Sequence, residues 1–184
     1  NAFQPDVLLG LGGGSNMDIA KGAAVVLAHG GAIADYAGDQ VVPGPVFPLI
    51  LVPTTAGTGS EVTAAAVLAD PERGSKFGIL SNHLRPQLAV VDPLLTVSCP
   101  PHVTAASGID ALTHAVEAFT AIDNEEFPLP VGERTVYQGR YPLADVLADQ
   151  AITLVGRHLR NAVSDGNNLE AREGMALAAT VAGM

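Results

Sequence analysis

Short apolar runs separated by glycine- and proline-containing turns occupy the first half of the chain. The runs at residues 7–11 (VLLGL), 49–52 (LILV) and 88–91 (LAVV) have the length of strands, and their near-continuous apolar character is typical of buried strands. Between the first two runs, residues 17–27 repeat apolar positions with helical spacing. The predicted apolar face of this helix comprises Ile19, Ala20, Ala23, Ala24 and Leu27. This alternation predicts an α/β fold with a parallel sheet.

Helical periodicities then replace the strand signals. Helices are predicted over residues 103–120, 143–161 and 169–184, with a long polar, proline-rich loop between the first two. We therefore place a boundary after residue 97. An α/β part over residues 1–97 is expected to precede an all-α part over residues 98–184.

Composition narrows the classes of function. Hydrophobic residues make up 48% of the 184 residues, enough for a core, and the formal net charge of −10 disfavours nucleic acids and anionic membranes as partners. The apolar runs are interrupted well before the ~20 residues that a membrane helix needs. Cys99 is the only cysteine, which excludes an intramolecular disulfide and a thiolate metal cluster and fits a reducing, cytoplasmic location.

A glycine-rich segment joins the first predicted strand to the first helix, at residues 10–21 (GLGGGSNMDIAK). Consecutive glycines let backbone N–H groups approach a phosphate without Cβ clashes, and the helix N-terminus adds partial positive charge. Ser15 could cap the helix or donate to a phosphate oxygen. The spacing is not GxGxxG, so the ordinary Rossmann fingerprint is not met, and a tight turn without a ligand stays open as an alternative. Lys21 is a candidate for supporting phosphate charge or for pairing with Asp18.

A second polar segment follows the second predicted strand, at residues 53–61 (PTTAGTGSE). Hydroxyl groups at the carboxyl end of a strand in an open α/β sheet lie where such folds bind ligands. Taken alone, however, this segment favours an ordinary polar turn whose hydroxyls satisfy their own backbone.

Asp110 and His114 stand four residues apart in a segment that is otherwise largely apolar, residues 107–119 (SGIDALTHAVEAF). On a helix this spacing places both side chains on one face, one turn apart. A carboxylate and an imidazole so placed can bind one divalent metal ion, although an Asp–His hydrogen bond without metal fits the spacing equally well. A complete metal site would need further ligands from elsewhere.

Together, the strings GGGSNMDIAK, PTTAGTGSE, VVDP and SGIDALTHAVEA resemble the iron-containing (group III) alcohol dehydrogenase family over nearly the whole chain. The resemblance implies the dehydroquinate synthase-like fold of that family: an α/β dinucleotide-binding domain, here in part over residues 1–97, and a helical metal-binding domain whose first part is residues 98–184. Asn16 departs mildly from the family pattern, which often has proline or a small residue there.

The resemblance also implies site residues. Gly13, Gly14 and Ser15 are expected to contact the cofactor pyrophosphate, and Asp18 is placed with them. Thr54, Thr55, Thr58 and Lys76 are expected along NAD or NADP. Asp110 and His114 match the first two ligands of an iron ion, for which zinc is the alternative.

The implied activity is hydride transfer between an alcohol and NAD(P), in a homo-oligomer that is a dimer or larger. Residues 136–152 and 167–184 resemble the hydroxyacid–oxoacid transhydrogenase branch, which acts on hydroxy acids such as 4-hydroxybutyrate. A dehydroquinate synthase-like lyase and a non-catalytic nucleotide-binding fragment stay open as alternatives. The chain starts without Met and ends within a helical pattern, so we expect an internal fragment whose further histidine ligands lie past residue 184 and which is inactive alone.

Overall fold

A computed structural model describes residues 5–71, 74–123, 125–126 and 128–184. Six strands and four α-helices follow one another in the described residues, with short 3-10 turns between some of them. They are β1 (Leu8–Gly12), α1 (Gly14–His29), β2 (Gly38–Asp39), β3 (Leu49–Pro53), β4 (Ala65–Asp70), β5 (Ser75–Leu80), β6 (Leu88–Ala89), α2 (Pro101–Phe119), α3 (Pro142–Ser164) and α4 (Leu169–Gly183). All described strands precede α2, so the predicted order of an α/β part and a helical part is confirmed.

The three predicted strands form one parallel sheet in the order β1-β3-β6. Gly10 of β1 allows α1 to lie close to this sheet, because a Cβ there would be 2.6 Å from Leu51 Cδ2 and 2.9 Å from Ala20 Cβ. The expectation that these strands are buried on both faces is wrong in part, since Leu9 and Leu11 are 63% and 54% exposed. Only the face that carries Gly10, Gly12 and Leu51 is covered by α1.

The predicted apolar face of α1 is also wrong in part. The residues that the helix buries include Met17, Lys21, Ala24 and Val25, whereas Ile19 is 59% exposed. Lys21 was not part of the predicted apolar face, because a lysine is rarely buried. Here its ammonium group finds acceptors inside the protein, and the buried face is therefore rotated away from Ile19.

A second sheet has the order β2-β5-β4 and is mixed rather than parallel. Strand β5 pairs antiparallel with β4, from Ala65 opposite Leu80 to Asp70 opposite Ser75, and parallel with β2. The connection between β4 and β5 is far too short for the crossover that parallel neighbours require, so a hairpin is the available geometry. This hairpin borders the site described below.

The helical half is built on small residues. Helices α2, α3 and α4 contact one another, and Gly108 of α2 permits a close approach, since a Cβ there would be 2.3 Å from Leu159 Cδ1. The main core cluster consists of Ala111, Val155, Ala162, Ala171, Met175, Ala178 and Ala179. No helix within the described residues has both the length and the apolar character that crossing a membrane requires.

Arg172 joins the start of α4 to the start of α2 and is only 3% exposed. Its guanidinium group donates to the Gly166 carbonyl oxygen (3.0 Å), to Thr104 Oγ1 (2.8 Å) and to the Cys99 carbonyl oxygen (3.2 Å). A buried cation with these acceptors is tolerated because hydrogen bonds replace its hydration.

Candidate functional site

A cleft of about 1090 Å³ lies between the sheets and the helical half. Its walls include residues from the glycine loop, from residues 53–61, from the β4–β5 hairpin and from α2. Seven of the predicted site residues line it: Gly14, Ser15, Asp18, Thr58, Lys76, Asp110 and His114. The folded chain therefore brings together residues that stand up to a hundred positions apart in the sequence.

The glycine loop, residues 12–15, continues into the first turn of α1, which begins at Gly14. No side chain caps this helix, so its first-turn N–H groups are left without a side-chain acceptor. A Cβ on Gly14 would lie 2.4 Å from Thr58 Cγ2, so only glycine fits without displacing that threonine. Open N–H groups at a helix N-terminus, bordering a cleft, suit the pyrophosphate of a dinucleotide.

The predicted threonines divide into two groups. Thr58 is among the residues that line the cleft, whereas Thr54 and Thr55 are not. The Thr54 N–H donates to the Gly12 carbonyl oxygen at 2.9 Å, and Thr55 Oγ1 would be 3.4 Å from a Cβ at Gly13. Both threonines therefore support the glycine loop from the neighbouring strand end.

Asp18 borders the cleft but uses both carboxylate oxygens inside the protein. Ser60 Oγ donates to Oδ1 at 2.7 Å, and the Val67 N–H donates to Oδ2 at 3.0 Å. These bonds tie the first turns of α1 to residues 53–61 and to β4. Asp18 therefore stabilises the fold, in addition to the cofactor contact that we expect for it.

The two lysines singled out from the sequence differ in their surroundings. Lys76, on β5, is exposed and lines the cleft. Lys21 is fully buried, and its Nζ donates to the Thr63 carbonyl oxygen (3.0 Å), to Thr63 Oγ1 (3.0 Å) and to the Ala65 carbonyl oxygen (2.7 Å). Burial lowers the pKa of Lys21 from 10.5 to about 8, a shift that nearby Asp18 partly opposes. Lys21 fixes α1 to the start of β4 rather than facing the cleft.

Asp110 and His114 lie on the cleft side of α2, whose buried residues include Gly108, Ala111 and Ala115. The distance from Asp110 Oδ1 to His114 Nε2 is 3.7 Å, and the side chains are 43% and 35% exposed. Carboxylate oxygen and imidazole nitrogen are donors that divalent iron and zinc both accept. The pair therefore fits a metal ion as part of its ligand set. Among the described residues, no group of three metal-binding side chains forms.

Sequence reasoning did not single out several residues that matter to this region. Arg85 and Tyr137 line the cleft, and burial raises the pKa of Tyr137. Glu61 is 3% exposed and contacts α4. No local sequence pattern indicates these three residues, because their positions in the fold depend on packing between segments that are distant in the sequence.

Two family models match this chain. Residues 1–93 match the model described as iron-containing alcohol dehydrogenase, and residues 131–184 match the C-terminal model of the Fe-containing alcohol dehydrogenase family. The chain belongs to the iron-containing alcohol dehydrogenase family. The resemblance inferred from its sequence motifs is thereby confirmed.

Similar proteins agree with membership of the iron-containing alcohol dehydrogenase family. An NAD-dependent methanol dehydrogenase from Bacillus methanolicus is 41% identical over 179 residues, which are 97% of this chain and 43% of that protein. A mitochondrial hydroxyacid-oxoacid transhydrogenase from Caenorhabditis elegans is 41% identical over 190 residues, covering 98% of this chain and 41% of that protein.

A solved structure of a 1,3-propanediol oxidoreductase matches with a TM-score of 0.84 and 42% identity. The match covers 97% of this chain and 42% of that one, so the fold class predicted from sequence is confirmed. This chain spans less than half the length of these relatives. The dehydrogenase and the transhydrogenase are each 41% identical to this chain.

Proposed function

We propose that the protein containing this chain is a metal-dependent oxidoreductase that transfers hydride between an alcohol and NAD or NADP. One observation carries the proposal: the open helix N-terminus at Gly14 and the metal-binding pair of Asp110 and His114 border the same cleft. A hydride acceptor and a site that activates an alcohol must meet in one place, because hydride moves only between groups in contact.

The dinucleotide is proposed to lie along the edge formed by the glycine loop. The N–H groups at the start of α1 would donate to the pyrophosphate, as the uncapped helix N-terminus favours an anion. Thr58 and Lys76 would contact the cofactor within the cleft, which Ser15 and Asp18 also line. Gly13, Thr54 and Thr55 complete the predicted set of cofactor-binding residues.

Asp110 and His114 would hold the metal, with iron as the proposed ion and zinc as the alternative. The bound ion would act as a Lewis acid that eases loss of the alcohol proton near neutral pH. The pair places a carboxylate and an imidazole one helical turn apart, facing the cleft. Their position would determine where in the cleft the alcohol oxygen binds. We propose a cytoplasmic homo-oligomer as its working form.

The test uses the protein produced from its complete reading frame, loaded with ferrous iron and given a panel of simple alcohols and hydroxy acids with NAD or NADP. We expect absorbance of reduced nicotinamide to increase. Asp110→Asn and His114→Gln should each lower metal content and turnover while leaving nucleotide binding intact. A metal-loaded protein that reduces neither NAD nor NADP with any member of the panel would contradict the proposal.

A hydroxyacid–oxoacid transhydrogenase is the second candidate, because the relative from Caenorhabditis elegans is as similar as the dehydrogenase relative. In such an enzyme the nucleotide stays bound while a hydroxy acid is oxidised and an oxo acid is reduced. Conversion of 4-hydroxybutyrate and 2-oxoglutarate without added NAD(P) would favour this function. A strict need for added NAD(P) would favour the dehydrogenase.

A further inference from the structure

Residues 53–61 contact both halves of the molecule. On the sheet side, the Thr54 N–H bonds to Gly12 and Ser60 Oγ bonds to Asp18, so the segment holds the glycine loop and α1. On the helical side, Ala56 packs against the core cluster of the helices. This segment is called the junction loop below. It lies between the nucleotide-binding edge and the metal-binding pair.

Two glycines bring the junction loop into backbone contact with the helices. A Cβ on Gly57 would lie 2.7 Å from both the Cβ and the carbonyl oxygen of Ser107 in α2. Gly59 has φ of +61°, and a Cβ there would lie 2.9 Å from the Ala179 carbonyl oxygen and from Gly183 Cα in α4. These approaches leave no room for adjustment by side chains, so the spacing across the junction is set by backbone atoms.

Glu61 is the last residue of the junction loop and is buried, with only 3% exposure. Thr180 of α4 donates from Oγ1 to Glu61 Oε1 at 3.0 Å and also lies 3.1 Å from the Ala176 carbonyl oxygen. Burial raises the pKa of Glu61, and the positive charge of Lys21 partly opposes that change. A buried carboxyl group is costly unless it is hydrogen-bonded, so the Thr180 contact gives this glutamate a defined partner across the junction.

The consequences of this contact reach the cleft. Thr58 and Ser60 precede Glu61 and line the cleft beside Gly14, while Gly183 follows Thr180 on α4 and lines the same cleft from the helical side. A shift at the Glu61–Thr180 contact would therefore move the nucleotide-binding edge relative to α4 and to α2, the helix that carries Asp110 and His114.

We propose that Glu61 is a positioning residue whose contact with Thr180 fixes the distance between the nucleotide-binding edge at the glycine loop and the metal-binding pair of Asp110 and His114. This inference rests on the proposed function. Misplacement of reacting groups by about 1 Å can reduce a rate by on the order of 100-fold, so a modest displacement suffices for a measurable loss. Glu61 is not among the residues that line the cleft, and its effect is exerted through the backbone of the junction loop.

The test uses the complete, metal-loaded protein with two matched pairs of variants. Glu61→Ala removes the contact, whereas Glu61→Gln keeps an acceptor of the same size without charge. Thr180→Val removes the hydroxyl at constant shape, whereas Thr180→Ser keeps it. For each protein we would measure kcat, the primary deuterium isotope effect on kcat, NAD(P)H affinity by fluorescence, and metal content.

We expect Glu61→Ala and Thr180→Val to lower kcat by on the order of tenfold and to increase the isotope effect. Nucleotide affinity and metal content should stay at wild-type values, and Glu61→Gln and Thr180→Ser should retain wild-type kcat. If Glu61→Ala fails to fold, the two Thr180 variants decide the result in the same way.

Three results would overturn the inference. Both disruptive variants could keep kcat within about twofold of wild type. Their nucleotide affinity or metal content could fall by the same factor as kcat, which is expected when a residue only stabilises the fold. Glu61→Gln could be as defective as Glu61→Ala, so that charge and not the contact mattered. A wild-type protein without alcohol-dependent turnover overturns the proposed function as well, whereas an active wild type with insensitive variants overturns only this inference.

Discussion

Replacing Lys21 by methionine should change how the stability of the protein depends on pH. In the wild type, the fully buried ammonium donates three hydrogen bonds to Thr63 and Ala65, and its pKa is lowered from 10.5 to about 8. Methionine has a similar length but no charge. The variant therefore provides a reference in which this titration is absent.

The magnitude follows from the pKa of Lys21. A fall from 10.5 to about 8 corresponds to about 3 kcal/mol, at about 1.4 kcal/mol for each pH unit. Between these two pH values the unfolded chain still binds the lysine proton while the folded chain has lost it. Because the unfolded state then holds more protons, the free energy of unfolding contributed by Lys21 rises with pH through this window. Below pH 8 the full cost of burying the charge is present.

The assay is urea unfolding of the metal-free protein at several pH values from 7 to 10.5, carried out on the wild type and on Lys21→Met. We expect the stability of the wild type relative to the variant to increase by about 3 kcal/mol across this range. Met17→Leu changes the same buried face of α1 without a titrating group, so its difference from wild type should not vary with pH. A Lys21→Met difference that is constant with pH would refute the reasoning.

Three other variants probe separate parts of the molecule. Gly14→Ala places a Cβ 2.4 Å from Thr58 Cγ2, so NAD(P)H affinity measured by fluorescence should fall by on the order of tenfold, with metal content unchanged. Arg172→Met leaves two carbonyl groups and a hydroxyl without their buried donor, and denaturant unfolding should show a loss of about 3 kcal/mol. Asp110→Ala should abolish iron binding measured by elemental analysis, because His114 then lacks its neighbouring ligand. Wild-type values in any of these assays would contradict the corresponding assignment.

Local patterns in the sequence were sufficient for most of the secondary structure. The strand before the glycine loop and all three helices of the second half lie close to their predicted positions, because each has either a compact apolar run or a clear helical repeat. The α4 prediction, residues 169–184, differs from the observed Leu169–Gly183 only at its end.

Burial was harder to predict than secondary structure. Ile19 and Leu9 are apolar but exposed in the described structure, while Lys21 and Arg172 are charged but buried. Hydrophobic periodicity treats charged residues as exposed, and it cannot detect carbonyl groups that distant segments supply as acceptors. The second sheet, in which β4 and β5 pair antiparallel, was not predicted, because short apolar runs do not indicate which strands pair or in which direction.

Some features of the candidate site could be predicted from local sequence, and others depend on tertiary packing. Asp110 and His114 could be paired from spacing alone, since a helix fixes which side chains share a face. That Gly14 lies in the same cleft depends on tertiary packing, and only the resemblance to a family suggested it in advance. Glu61 stands inside a recognised motif, yet its contact with Thr180 spans 119 positions and has no local signature.

The central claim is that Asp110 and His114 hold a metal beside the nicotinamide of a dinucleotide bound at the glycine loop. In the most direct test, the metal in the complete protein is replaced by paramagnetic cobalt. The relaxation of the nicotinamide C4 proton is then measured by NMR. We expect strong relaxation in the wild type and its loss in Asp110→Ala. Cobalt that binds without relaxing that proton, or that relaxes it equally in the variant, would show that Asp110 and His114 do not hold the metal beside the nicotinamide.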